Sequence, residues 1–150
     1  MNHDGHRLLQ AGVVLFLFAL IVGIAVPRFA LPRLALSAHL LGITQGTFLI
    51  AIGVLWPRLR LTRGQSLAGQ VLALYGCVAA WIANVAGAAW GAGGSIVPMA
   101  SGGTKGTALQ EMTMNILLRS AAVCLIALML FLLWALRSRN SAVADPSEGS

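Results

Sequence analysis

Within one apolar run, Leu36-Ser37-Ala38-His39-Leu40-Leu41-Gly42-Ile43-Thr44-Gln45-Gly46-Thr47-Phe48-Leu49, a histidine, an amide and hydroxyls interrupt the hydrocarbon side chains. Further along, Asn84 lies between Trp81 and Trp90, and Glu111, Asn115 and Arg119 follow at a spacing of four. That spacing places the last three on one face of a helix. An imidazole and a carboxylate can exchange protons at ordinary pH, whereas a guanidinium only holds charge. Together with aromatic faces, such groups suit acid–base chemistry on an apolar aromatic molecule.

Each member also has a structural reading. Glu111 and Arg119 can form an ion pair bridged by Asn115, as charges inside membranes normally pair. His39 can hydrogen-bond a neighbouring backbone. Trp56, Trp81 and Trp90 suit an aromatic belt. Gln70 and Tyr75 read as border and packing groups.

The elements that must position these residues are membrane helices. Of 150 residues, 58% are hydrophobic and 9% charged, and the mean hydropathy is +0.84. Soluble domains average about 25% charged residues. Four apolar stretches, about 8–26, 37–56, 66–90 and 107–136, reach the roughly 20 residues that a spanning helix needs. They predict one domain over 1–139, an all-α antiparallel four-helix transmembrane bundle, with a disordered tail over 140–150. The first stretch exceeds the roughly 7–15 residues of a signal-peptide core and lacks a good cleavage site, so it reads as a retained helix.

The net charge of +6 does not point to nucleic acid. Its arginines sit at the span borders, where anchoring to the lipid bilayer explains them. With alternating spans, Arg7, Arg58, Arg60, Arg63, Arg137 and Arg139 share one side, and Arg28, Arg33 and Lys105 the other. That excess predicts an integral membrane protein with both termini in the cytoplasm. The same alternation brings the start of span two, the end of span three and the start of span four to one face. His39, Asn84, Trp90 and Glu111 therefore share a side, with Gln45 deeper.

Pro32-Arg33 and Pro57-Arg58 end the preceding helices, and Ser37 or Ser66 suits the next N-cap. Small residues let membrane helices approach closely. Gly42/Gly46, Ala19/Gly23 and the longer stripe Ala79, Ala83, Gly87, Gly91 predict tight packing, and also suit a homo-oligomer. Between spans three and four, residues 91–106 hold six glycines and exceed the usual connection of about 4–6 residues. The segment reads equally as a lid or as a slack connector.

No cofactor and no metal are expected. Haem ligation across helices usually wants a second histidine, and His3 and His6 lie outside the spans. Cys77 and Cys124 form no metal-binding pair and read as apolar filler. No nucleotide loop or Ser-His-Asp arrangement is visible.

Leu36–Leu49, Gly53-Val-Leu-Trp-Pro-Arg58, Trp81-Ile-Ala-Asn84 and Trp90-Gly-Ala-Gly93 resemble bacterial hydroxylaminobenzene mutases, in order, from about Gln10 to Arg137. The resemblance implies a small membrane-bound isomerase that rearranges an aromatic hydroxylamine to 2-aminophenol without an added cofactor. For such an activity, His39 and Glu111 would serve as acid and base and Arg119 would hold Glu111 or the migrating oxygen. Gln45, Asn84 and Asn115 would orient the substrate, and Trp81 or Trp90 would stack on its ring. The rival reading is a non-enzymatic assembly factor or a subunit of a larger membrane complex.

Overall fold

The computed structural model describes residues 3–143, with side chains from 4 to 137, and contains no strand among them. Helix α1 (His3–Ala25) passes through a 3-10 turn (Val26–Arg28) into α2 (Pro32–Leu55). A second turn (Trp56–Leu59) leads to α3 (Arg63–Trp90), and a one-turn helix α4 (Pro98–Ser101) interrupts the connection to α5 (Ala108–Val143). Helices α1, α2, α3 and α5 are long and apolar enough to cross a bilayer. The chain is thus an all-α integral membrane protein with four candidate spans.

The helix starts differ from those expected, for local reasons. Pro32 occupies the first turn of α2, where its missing N–H costs no hydrogen bond. Ser37 lies a turn inside that helix, donating to the Arg33 carbonyl at 3.1 Å. Helix α3 is capped by Thr62, not Ser66. Its side chain and that of Gln65 form a reciprocal capping box, satisfying two otherwise orphaned backbone donors. Helix α5 opens on a similar exchange between Thr107 and Gln110 and runs on to Val143. The remainder of the expected tail, 144–150, lies outside the described residues.

Neighbours in sequence pack together: α1 on α2, α2 on α3, and α3 on α5. Helix α3 is central, with 50% of its most apolar stretch buried against 11% for α5. The α3–α5 contact uses the predicted small-residue stripe: Ala79 and Ala80 pack on Ala121, while Gly87 faces Met114. One hydrogen bond, Tyr75 to Ser120 at 2.8 Å, also joins these two helices.

The α1–α2 contact is tighter. A Cβ at Gly12 would lie 2.7 Å from the Gly46 carbonyl oxygen, and one at Gly5 would lie 2.6 Å from the Gly53 oxygen. Such distances leave no room for a methyl group, so backbone lies on backbone. Lipid offers little hydrophobic reward for helix association, so close van der Waals packing must supply it. Gly12→Ala is expected to destabilise the protein by about 1–3 kcal/mol, the usual cost of overpacking. A lowered thermal midpoint in detergent would show it, and an unchanged midpoint would contradict this packing.

Candidate functional site

Toward its C-terminal end, α1 presents Ala19 and Gly23 to α2. His39 Nδ1 lies 2.7 Å from the Ala19 carbonyl oxygen. A carbonyl only accepts, so Nδ1 carries the hydrogen and donates it. In the neutral ring Nε2 then holds a lone pair. Gly23 makes this contact possible, because a Cβ there would sit 2.5 Å from Nδ1 and 2.6 Å from Cε1. The half-buried imidazole therefore lies flat on a bare stretch of helix.

One turn along α2, Gly42 marks the junction of three helices. Its Cβ position would meet Ala19 of α1 and the indole nitrogen of Trp81 of α3, both at 2.6 Å. The Trp81 ring also lies against Phe18, with centroids 6.2 Å apart. Just beyond Gly42 on α2, Gln45 is buried. Gln45 Oε1 and Trp81 Nε1 are buried polar atoms with no hydrogen-bond partner among the described residues. Native interiors rarely leave such atoms unsatisfied, and each one calls for an explanation. One is an acceptor and the other a donor, which complement the two ends of a small N–OH group.

The remaining polar groups of this region look inward to their own helices. Thr44 and Thr47 donate to the carbonyls of Leu40 and Ile43. Asn84, buried on α3 one turn beyond Trp81, donates to the Ala80 carbonyl at 2.9 Å.

Glu111 does not join His39. Its Oε1 accepts the N–H groups of Gly93 at 2.8 Å and Gly106 at 3.0 Å. Its Oε2 accepts both the backbone N–H, at 3.1 Å, and the hydroxyl of Ser95. Four donors converge on the carboxylate, so it works as an acceptor that ties down the α3–α5 connection. Within that connection Gly93 and Ser101 are buried, whereas Gly102, Gly103, Thr104 and Lys105 are exposed. It begins at Gly91, whose φ of 70° ends α3 in the left-handed conformation that glycine readily adopts.

The expected Glu111–Asn115–Arg119 array is also absent. Arg119 is exposed, Asn115 is half-buried, and no ion pair links Glu111 to Arg119 among the described residues. Glu111 sits in the first turn of α5, next to the connection whose amides occupy its carboxylate. Trp90 is 45% exposed at the end of α3, away from the Gly42 junction. The structure thus brings His39 and Trp81 to the contact of Ala19 with Gly42, with Gln45 buried further along α2 and Asn84 one turn along α3. Glu111 is held by the α3–α5 connection, and Arg119 is exposed. The contributions of Gly23 and the Ala19 carbonyl were missed from sequence, although the Ala19/Gly23 pair signalled a close contact.

Chemically, His39 Nε2 can carry a proton or act as a ligand to a Lewis acid. A donated Nδ1–H is the support that ligating and proton-carrying imidazoles share.

A small membrane isomerase is the class this fold and its relatives define. The chain belongs to the styrene oxide isomerase family, whose sequence model matches residues 4–137. It is similar to two proteins of Ectopseudomonas oleovorans. Hydroxylaminobenzene mutase HabB is 43% identical over 132 residues, covering 88% of this chain and 80% of that protein. Hydroxylaminobenzene mutase HabA is 39% identical over 126 residues, covering 84% of this chain and 93% of that one. These likenesses favour the enzyme over the assembly-factor reading. No solved structure matches.

Glu111→Gln replaces two acceptor oxygens by one acceptor and one donor. Hydrogen exchange at Gly93, Ser95 and Gly106 is expected to quicken by about tenfold or more, since bonds to a charged group contribute about 1.5–3 kcal/mol each. Unchanged exchange at all three amides would contradict the clamp.

Proposed function

We propose that the protein rearranges hydroxylaminobenzene, or a close arylhydroxylamine, to 2-aminophenol at the Gly42 junction. The observation that carries this reading is His39, fixed through Nδ1 on Ala19, one turn from Gly42, where the unpartnered indole nitrogen of Trp81 meets α2. The names of the relatives supply the substrate class. Gln45 Oε1 accepts from the substrate N–H, and the Trp81 indole N–H donates to the hydroxyl oxygen. Asn84 stands one turn further along α3 to bound the same site.

With Nδ1 committed, only Nε2 gains and loses a proton. The protonated ring hands its Nε2 proton to the hydroxyl oxygen. The N–O bond breaks with its electron pair on oxygen, leaving water and a ring-delocalised cation. The oxygen then bonds the ortho carbon and returns a proton to Nε2. Finally the ring proton at that carbon moves to nitrogen, restoring aromaticity as 2-aminophenol. All atoms of the substrate are retained. The faces of Trp81 and Phe18 stabilise the cation, and apolar walls hold the departing oxygen close enough to add where it left.

Membranes containing the protein are expected to form 2-aminophenol above membranes from a vector-only control. In water enriched in oxygen-18 the product should keep the substrate's oxygen. His39→Ala should lower turnover by about 10²–10⁴-fold, the usual contribution of a positioned acid–base group. Gly23→Ala, which pushes the imidazole aside, should lower it by roughly 10²-fold at an equal protein level. Absence of 2-aminophenol would overturn the substrate assignment, and full turnover in both variants would move the site elsewhere. A bound metal or chromophore that disappears in His39→Ala would reassign Nε2 from proton carrier to ligand.

The bacterial relatives support placement in a bacterial inner membrane, and six arginines against three cations favour both termini in the cytoplasm. A fluorescent protein fused to the C-terminus should therefore fluoresce and a periplasm-dependent phosphatase should stay inactive. The reverse pattern would invert the topology. The substrate is the only partner that this reading requires beyond the bilayer, and a homo-oligomer remains compatible with the exposed face of α5.

A further inference from the structure

At the opposite end of the bundle from His39, a cavity of about 280 Å³ opens between the start of α1 and the α2–α3 turn. Arg60 and Arg63 line it, with Trp56, Leu61, Asp4 and Ser66 forming the walls. The back wall is held by a closed set of hydrogen bonds. Ser66 Oγ donates to Asp4 Oδ2 at 2.7 Å and accepts from Trp56 Nε1 at 2.9 Å and Gln70 Nε2 at 3.3 Å. That serine uses its one donor and both acceptor positions, joining α1, the turn and α3. The wall is therefore fixed in place, and its indole and serine are occupied.

The two guanidiniums are different. Arg60 has φ 49° and ψ 41°, and it is the one non-glycine residue at positive φ among those described. Glycine or asparagine would adopt this left-handed conformation with less strain. An arginine there makes sense where its side chain has a task. Guanidinium groups match phosphate oxygens in geometry and charge, and arginines at the border of a spanning helix are where lipid headgroups lie.

We propose that this cavity binds the phosphodiester of a phospholipid headgroup, held by Arg60 and Arg63. The apolar side chains of Trp56 and Leu61 lie beside the start of the acyl chains. The site is separate from the His39 junction and does not depend on the isomerase reading.

Native mass spectrometry of the full-length protein in detergent, incubated with phosphatidylglycerol, tests this. The wild type should keep a bound lipid that Arg60→Gly and Arg63→Gln each retain several-fold less. Arg137→Gln, at the same end of the bundle but outside the cavity, should retain it fully. Glycine suits the backbone at position 60, so Arg60→Gly should keep its thermal midpoint, and lost lipid cannot then be ascribed to unfolding. Diacylglycerol with the same chains, lacking the phosphate, should not be kept. Equal retention by Arg60→Gly and Arg63→Gln, or equal retention of diacylglycerol, overturns the proposal. Inorganic phosphate bound in the cavity with no lipid retained would overturn the lipid assignment.

Discussion

The close approach of α1 and α2 is the constraint on which the rest of the molecule depends. Gly5 and Gly12 of α1 lie directly on the backbone of α2 at Gly53 and Gly46, and Gly23 leaves room for the His39 ring. Only at that separation can an imidazole reach a main-chain carbonyl already inside a helix, as His39 reaches Ala19. The same approach sets Gly42 against both Ala19 and Trp81. Helix α3 is thereby brought close enough for its indole to enter the junction. The three-helix junction thus follows from packing that has little hydrophobic driving force in lipid and must rest on fit.

Polar groups elsewhere in the bundle do structural work at its two ends. At one end Glu111 gathers amides from a glycine-rich connection that would otherwise be costly to order. At the other, Ser66 joins three segments through Asp4, Trp56 and Gln70. Between these ends, only Gln45 Oε1 and Trp81 Nε1 are buried without a partner among the described residues. The satisfied groups hold the fold at its ends, and these two atoms are where the proposed substrate would find its hydrogen-bond partners.

Much of this was legible in the sequence. The four apolar stretches, their alternation and the small-residue stripe of α3 dictate the bundle, because length and hydropathy leave few alternatives. His39, Gln45, Trp81 and Asn84 stood out as polar or aromatic groups inside spans. Glu111 was misjudged because its i, i+4, i+8 relation to Arg119 is visible in sequence, whereas the amides of Gly93, Ser95 and Gly106 carry no side-chain signal. Helix starts were misplaced for a similar reason: Pro32 and Thr62 serve better than Ser37 and Ser66 for local geometric causes. The role of Gly23 was also out of reach, since it depends on which residue of the facing helix lies opposite.

The central claim is that His39 keeps its proton on Nδ1 and leaves Nε2 open. Nitrogen-15 NMR of histidine-labelled protein in lipid, with His39 assigned through its loss in His39→Ala, reads this directly. The account predicts that the neutral ring shows a protonated Nδ1 and an unprotonated Nε2. A neutral ring protonated at Nε2, with a bare Nδ1 facing Ala19, would contradict it.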